Sequence, residues 1–422
     1  MLLEKPKLFR TTKEALVILG VMLLILSFRL YTLYGEYNTF INKPFFYTKA
    51  TILNQYTKSK NGRSYEVLKI ATDNGYTIYT TAHLKRDLTN YRVRVKLIPD
   101  SGIKFKEYLG SFFIKVVIKD IYGRVGTKRD RLLLDIASQH RDSKIISFYS
   151  AIFLATPLDK SLREQIAVLG VSHLVALSGF HLGILWTLIY GVVLLLYQPL
   201  QRRYFPYRYS LIDIGVVTIL VLGFYVWFVD SPPSLVRSYA MMGIGWVVLL
   251  LGIELISFEF LGVVTLLLLT LFPTLIVSIG FWFSIAGVFY IFLILYWSRD
   301  FHPLIISTIF IPIGIFILML PIVHTIFGVT SDYQLLSPLL SLLFIPFYPI
   351  SIGVHLFGVG GVMDSGLLWL FGLAKGSVEV ILPWEYTIGY IMLSLGATRR
   401  FGLFIVILLG AFSYMGYLYL LN

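Results

Sequence analysis

Gly170-Val171-Ser172-His173-Leu174-Val175-Ala176-Leu177-Ser178-Gly179-Phe180-His181-Leu182-Gly183 opens an apolar run that continues to Tyr197 without one Asp, Glu, Lys or Arg. A run of that length crosses a bilayer, and it is one of many. Others lie near 15–34, 211–229, 235–253, 260–277, 280–297, 304–327, 335–357, 383–397 and 401–420. The composition agrees: 57% of the 422 residues are hydrophobic and 14% charged, with a mean hydropathy of +0.78. Soluble domains carry about 45–50% apolar and about 25% charged residues. A soluble enzyme, a fibrous protein and a disordered chain are therefore excluded. The sequence has no cysteine, which removes disulfides, thiolate chemistry and Cys-ligated zinc. The first run is too long for a signal peptide and lacks a small-residue cleavage site. The expected fold is a polytopic α-helical membrane protein of about 10 crossings plus amphipathic helices.

Lys5, Lys7, Arg10 and Lys13 precede the first run and place the N-terminus in the cytoplasm. The loop Gln201–Arg208 and Arg299 are then cytoplasmic as well. Segment 361–381, flanked by Gly360-Gly361 and carrying Asp364, Lys375 and Glu379, reads as an amphipathic interfacial helix or a re-entrant element. Four regions follow: 1–34, the cytoplasmic N-terminus and first membrane helix; 35–128, an extracytoplasmic domain; 129–168, amphipathic interfacial helices; and 169–422, the membrane core.

Residues 35–128 read as short strands. Phe45–Tyr56 is rich in aromatic and β-branched residues, Asn61-Gly62 and Asp73-Asn74-Gly75 signal tight turns, and 91–98 alternates basic with apolar side chains. Phe112–Ile121 supplies a last strand. The pattern suggests a small, inserted OB-like β-barrel, with a β-sandwich as the alternative. The segment holds 17 Lys and Arg against 7 Asp and Glu, a balance of +10 within a chain total of +13. Tyrosines stand among those cations. That combination suits single-stranded nucleic acid, cations following phosphates and aromatic faces stacking bases. A basic surface attracted to anionic lipid headgroups has the same composition.

Ionisable groups in a membrane core are functional candidates by default. His173 and His181 lie eight residues apart, about 80° around an ideal helix, and bracket a Ser178-Gly179 step where the helix can break. They either share a cavity wall or belong to a hydrogen-bond network holding a discontinuous helix. Asp230-Ser231-Pro232-Pro233-Ser234-Leu235-Val236-Arg237 delivers an arginine one turn inside the next crossing, where it meets a carboxylate, a phosphate or helix-end carbonyls, or snorkels to the headgroups. Gly280-Phe281-Trp282-Phe283-Ser284 is a weaker candidate. His324 and His355 read as interfacial, and Asp230 and Asp332 as solvated loop carboxylates.

The stretch from His173 to Gly183 closely resembles the signature of the ComEC family, the inner-membrane DNA channel of natural transformation. Pro233-Ser234-Leu235-Val236-Arg237, followed by Met241, looks like that family's second motif. Gly280–Ser284 resembles its third, with Trp282-Phe283 where relatives usually carry Gln-Leu. The resemblance implies conduction of single-stranded DNA across the bacterial cytoplasmic membrane. His173, Ser178, Gly179, His181, Arg237 and Ser284 would shape the path, and Arg63, Tyr65, Tyr76, Tyr79, Arg92, Arg94 and Lys96 would bind the strand outside. It also implies a periplasmic DNA receptor and a cytoplasmic ATP-driven motor or single-strand-binding proteins as partners, besides membrane lipid. Many relatives add a C-terminal metallo-β-lactamase-like domain. No His-x-His-x-Asp-His run is present here, so the channel alone is expected, with any nuclease a separate protein. No Gly-x-x-x-x-Gly-Lys-Ser/Thr loop occurs either. No cofactor, metal or enzymatic activity is expected. The competing readings are an intramembrane serine hydrolase using Ser178 with His173 or His181, and a small-anion transporter using Arg237.

Overall fold

The computed structural model describes residue 9 and residues 11–60, 63–82, 86–124, 128–252 and 257–420. The described residues divide into two units, one within Phe9–Lys128 and Gly262–Phe281, the other within 129–261 and 282–420.

In the first unit, helix α1 (Thr12–Ile41) is capped by the Thr11 side chain, which accepts from the Glu14 amide. It outruns the expected crossing, because its last turns carry Tyr37 and Phe40 into the core of the following sheet. That sheet comprises β1 (Phe46–Lys60), β2 (Arg63–Thr72), β3 (Thr77–Ala82) and β4 (Tyr91–Ile98), then, after the short helix α2 (Phe105–Tyr108), β5 (Ser111–Phe113) and β6 (Lys115–Arg124). The order is β5-β3-β2-β1-β4-β6. β1 is long enough to serve two neighbours. Residues 46–51 pair with β4 and residues 50–60 with β2, with a register shift between Ile52 and Asn54 that bends the strand. The β1–β2 ladder ends at Lys60↔Arg63; the expected Asn61-Gly62 turn lies outside the described residues.

Two sequence expectations need correction. The single strand expected over 112–121 is split at Ile114, which is buried and donates its amide to Tyr79 O (2.9 Å). The sheet is also open. β3's free edge is taken by β5 in parallel, while β6 joins the far edge beside β4. The roll does bring the Val116 amide to Thr80 Oγ1 (3.3 Å), yet among the described residues no strand ladder closes a barrel.

The second unit is helical. It runs α3 (Lys128–Ser138), α4 (Ser143–Leu154), α5 (Lys160–Val168), α6 (Ser172–Val175), α7 (Gly179–Tyr204), α8 (Ser210–Phe228) and α9 (Pro233–Leu250). α10 (Phe258–Leu271), most of which belongs to the first unit, and α11 (Ile279–Trp297), whose start does, follow in the chain. α12 (Pro303–Ile305) then passes through a π turn at Ile306–Phe310 into α13 (Ile311–Val323), and α14 (Ser337–Leu356), α15 (Asp364–Gly372), α16 (Trp384–Ala397) and α17 (Phe401–Leu420) complete the chain. Its core gathers Ile145, Tyr149 and Ile152 of α4, Leu162 of α5, Leu182 of α7 and Leu235 of α9, all essentially without exposure.

Among the described residues, 7 helices are long and apolar enough to cross a membrane. The protein is a multi-pass membrane protein. The expected crossings at 235–253, 260–277 and 383–397 are instead the shorter α9, α10 and α16. Gly252, in the left-handed region at φ +73°, follows the end of α9, Pro273 lies just past α10, and Pro383 caps the start of α16. Proline ends or begins a helix because it lacks the amide donor.

Candidate functional site

The stretch from Gly170 to Gly183 is not one helix. α6 covers four residues, Ala176 and Ser178 are extended, and α7 begins at Gly179. Ser178 is its N-cap. Its hydroxyl accepts from the Phe180 amide (3.3 Å), and its own amide donates to His181 Nδ1 (3.4 Å). The pair forms a capping box with histidine in the place usual for Glu or Gln. The 80° spacing that an unbroken helix would give His173 and His181 does not hold, since a break separates them. His181 is fully buried, edge-on to Phe344 (5.1 Å, 73°) and Tyr348 (4.9 Å, 88°). Its Nε2 has no partner among the described residues.

The second motif comes directly to this break. Ser234 Oγ donates to Leu177 O (2.8 Å), and Ser238 Oγ donates to Ser234 O (2.9 Å). A Cβ on Gly179 would lie 3.0 Å from Ser238 Oγ. α7 and α9 thus approach closely where the glycine leaves room. Beside them is a cavity of about 490 Å³ whose lining includes Ser172, Ala176, Leu177, Pro232, Ser234 and Arg163. His173 is exposed and lies 3.2 Å from Ser341 Oγ. Ser341 Oγ donates to Ser337 O (2.8 Å) and Ser337 Oγ to Gly170 O (3.0 Å), tying α14 to the residues before α6.

Arg237 is half-buried one turn inside α9. Ser284 is exposed on α11, Trp282 is exposed, and Phe283 packs its ring on Phe327 (5.9 Å). No hydrogen bond seen among the described residues links Ser284 to the other two motifs. Asp230 is exposed, as expected of a solvated loop carboxylate, and it also forms an ion pair with Arg129. His324, expected at the interface, is buried with Nε2 3.0 Å from Thr330 Oγ1.

His355 belongs to a cluster the sequence did not announce. His140 Nδ1 lies 2.9 and 3.0 Å from the two Asp364 carboxylate oxygens, and its Nε2 lies 2.9 Å from His355 Nε2. His355 Nδ1 is 2.6 Å from Ser351 O. Tyr149 stacks on the His140 ring at 4.7 Å and 13°. Among the described residues, no group of three or more His, Asp or Glu is arranged to hold a metal ion.

In the first unit the sheet separates the expected strand-binding residues. Tyr76 is turned inward, packed on Phe40 and Tyr108, with its hydroxyl 3.1 Å from that of Tyr108. Burial and this hydrogen bond push the Tyr108 phenol well above its usual range. Tyr76 is therefore a core residue, a correction of its expected role. The Arg63 side chain lies outside what is described. Tyr79 is partly exposed with Lys69 6.0 Å over its ring, and Tyr65 is partly exposed opposite Lys58. Arg92 pairs with Asp73 (2.8 Å), and Arg94 lies 3.9 Å from Asp120.

Cross-strand register then builds a face that the sequence left unassembled. Tyr47 opposes Lys96 and Lys49 opposes Arg94. Arg94 lies 5.4 Å over Tyr47, Lys96 3.8 Å over Phe45, and Lys49 5.9 Å over Tyr122. Phe45, Tyr47 and Tyr122 are each about half exposed. Phe45, Tyr47, Lys49 and Tyr122 were missed, although the aromatic content of the first strand was the available signal.

A polytopic helical membrane protein with one broken, serine-capped helix and an appended basic sheet is the class these two units define. The family model described as Competence protein matches residues 155–422, and the chain belongs to this family, of the ComEC type. Membership assigns it a role in DNA uptake during competence. No curated protein and no solved structure matches the chain.

Proposed function

We propose that the chain conducts a single DNA strand across the bacterial cytoplasmic membrane. The observation that carries this reading is the β1–β4–β6 face, where three cations lie over three exposed aromatic rings. Cations held there meet phosphates while the rings remain open to bases, which binds a strand without reading its sequence. A phosphate backbone crosses hydrocarbon only along a hydrated, protein-lined route. The polar break at Ser178-Gly179, the serines of α9 and the half-buried Arg237 supply polar groups for such a route. The sheet acts as an OB-like capture surface despite its open edge. A periplasmic receptor delivers the DNA, and a cytoplasmic ATP-driven motor or single-strand-binding proteins draw it in.

The cap contacts support a structural use of Ser178 and His181. Ser178 Oγ lies 3.4 Å from His181 Nδ1, and both groups are engaged in the helix cap. A general base works at about 2.6–3.2 Å from its proton.

The test uses the full chain in neutral-lipid nanodiscs with a labelled oligothymidine. Binding should fall steeply with salt, and Phe45→Ala with Tyr47→Ala should weaken binding and DNA import together. Salt-insensitive binding, or parental import in that double variant, overturns the capture role. Affinity gained only when anionic lipid is added would assign the face to headgroups instead.

A further inference from the structure

Helix α8 ends in a paired hydrogen-bond motif, with the Asp230 amide donating to Trp227 O (3.2 Å) and the Ser231 amide to Val226 O (2.9 Å). The first of these residues must be left-handed, and glycine is its usual occupant. Here Asp230 stands at φ +64° and Ser231 at +50°. Two successive non-glycine residues in that region are strained, and such strain persists where the surroundings hold it in place.

The group that reaches this turn is Arg129, which meets the exposed Asp230 carboxylate. Its guanidinium ion-pairs there and donates through Nη2 to Leu154 O (2.7 Å) in the last turn of α4. α4 itself ends in a left-handed non-glycine residue, Ala155 at φ +55°. Beside this contact the Tyr225 hydroxyl donates to Phe153 O (2.9 Å). One largely buried arginine therefore joins the ends of two helices. Only Pro232 and Pro233 separate the clamped turn from Ser234, which holds Leu177 O.

We propose that Arg129 and Asp230 are a positioning pair that fixes how the start of α9 meets the break before α7. Asp230 occupies a glycine position because its carboxylate is used. The pair touches no DNA; it acts through Ser234, Ser238 and Gly179. Its consequence for import rests on the conduit reading, whereas its consequence for geometry does not.

Two readouts separate these. Because the chain has no cysteine, Gly179→Cys with Ser238→Cys reports the junction alone. A Cβ on Gly179 would lie 3.2 Å from Ser238 Cβ, within a few tenths of an ångström of the disulfide range of about 3.5–4.5 Å. Adding Asp230→Gly relieves the backbone and removes the carboxylate; adding Asp230→Asn keeps the shape and removes the charge. Both should cut the oxidative cross-linking yield severalfold at parental protein abundance, as should Arg129→Gln. In the cysteine-free chain the same three substitutions should cut DNA import severalfold, and Arg129→Gln with Asp230→Asn should be no worse than either alone. Parental cross-linking in Asp230→Gly overturns the pair as a positioning device, as does a loss that only follows protein abundance. Reduced cross-linking with parental import keeps the positioning role and counts against the conduit reading.

Discussion

Gly179→Ala tests the close approach of α7 to α9. The added methyl would lie 3.0 Å from Ser238 Oγ and 3.2 Å from Ser238 Cβ, inside the relaxed separation of about 3.5–4.0 Å. Ser238 is not free to turn away, because its hydroxyl is bonded to Ser234 O (2.9 Å) and Ser234 in turn holds Leu177 O (2.8 Å). The helices must therefore part by a few tenths of an ångström. Overpacking of this kind costs about 1–3 kcal/mol. Alanine returns up to about 1 kcal/mol over glycine in a helix, so the net loss is roughly 0–3 kcal/mol. The coupling is more informative than that remainder. Ser238→Gly removes both atoms the methyl would meet, so in that background Gly179→Ala should be neutral or stabilising. Denaturation midpoints of the four proteins in detergent should give an interaction term of about 1–3 kcal/mol, with import following the same order. Effects that add to within about 0.5 kcal/mol would refute the claim that these two positions limit the approach of α7 to α9.

His181→Ala should lose about 3 kcal/mol or more, since it empties a buried aromatic site and dismantles a cap, and membrane abundance should drop on an immunoblot. His173→Ala, at an exposed position, should keep abundance and lose import; parental import there would remove His173 from the path. Arg29 donates to Thr270 O (3.1 Å) and Leu271 O (2.9 Å) at the end of α10. Arg29→Leu should lower stability by about 1–2 kcal/mol and Arg29→Lys by less, as read by the thermal midpoint; an unchanged midpoint in the leucine variant refutes the capping role. At the start of α5, the Ser161 hydroxyl and amide donate to the Asp159 carboxylate and hold it below the usual aspartate range. The fold favours the charged form, so the cap is complete above about pH 3.9 and is lost as pH falls through the lower folded value. Amide exchange at Ser161 should show no added opening between about pH 5 and 8, and a step in that window would contradict the assignment.

What the sequence disclosed is local chemistry. Apolar run length revealed the long helices, and alternation revealed β4, whose Val93, Val95 and Leu97 are buried while Arg92 and Arg94 face out. The Ser-Gly step disclosed that the first motif breaks, because a cap needs only four consecutive residues. Partners far apart in the chain were not legible. Arg129 finds Asp230 across 101 positions and His140 finds Asp364 across 224, and no periodicity encodes either meeting. Tyr76 misled for a related reason. Its tyrosine-among-cations setting fits an exposed platform, but the end of α1 brings Phe40 onto it and makes it core. The barrel expectation failed on edges, since strand count alone does not say that β5 will occupy the position a closing strand would need.

The His140 cluster brings together stretches that the chain keeps far apart. Ser351 O can only accept, so His355 Nδ1 donates to it within α14 (2.6 Å), which leaves His355 Nε2 to face His140 (2.9 Å). His140 reaches both Asp364 oxygens with its other ring nitrogen. The end of α14 and the start of α15 therefore meet on one imidazole just past α3, and a flat ring with two nitrogens on opposite edges sets how far apart they stand.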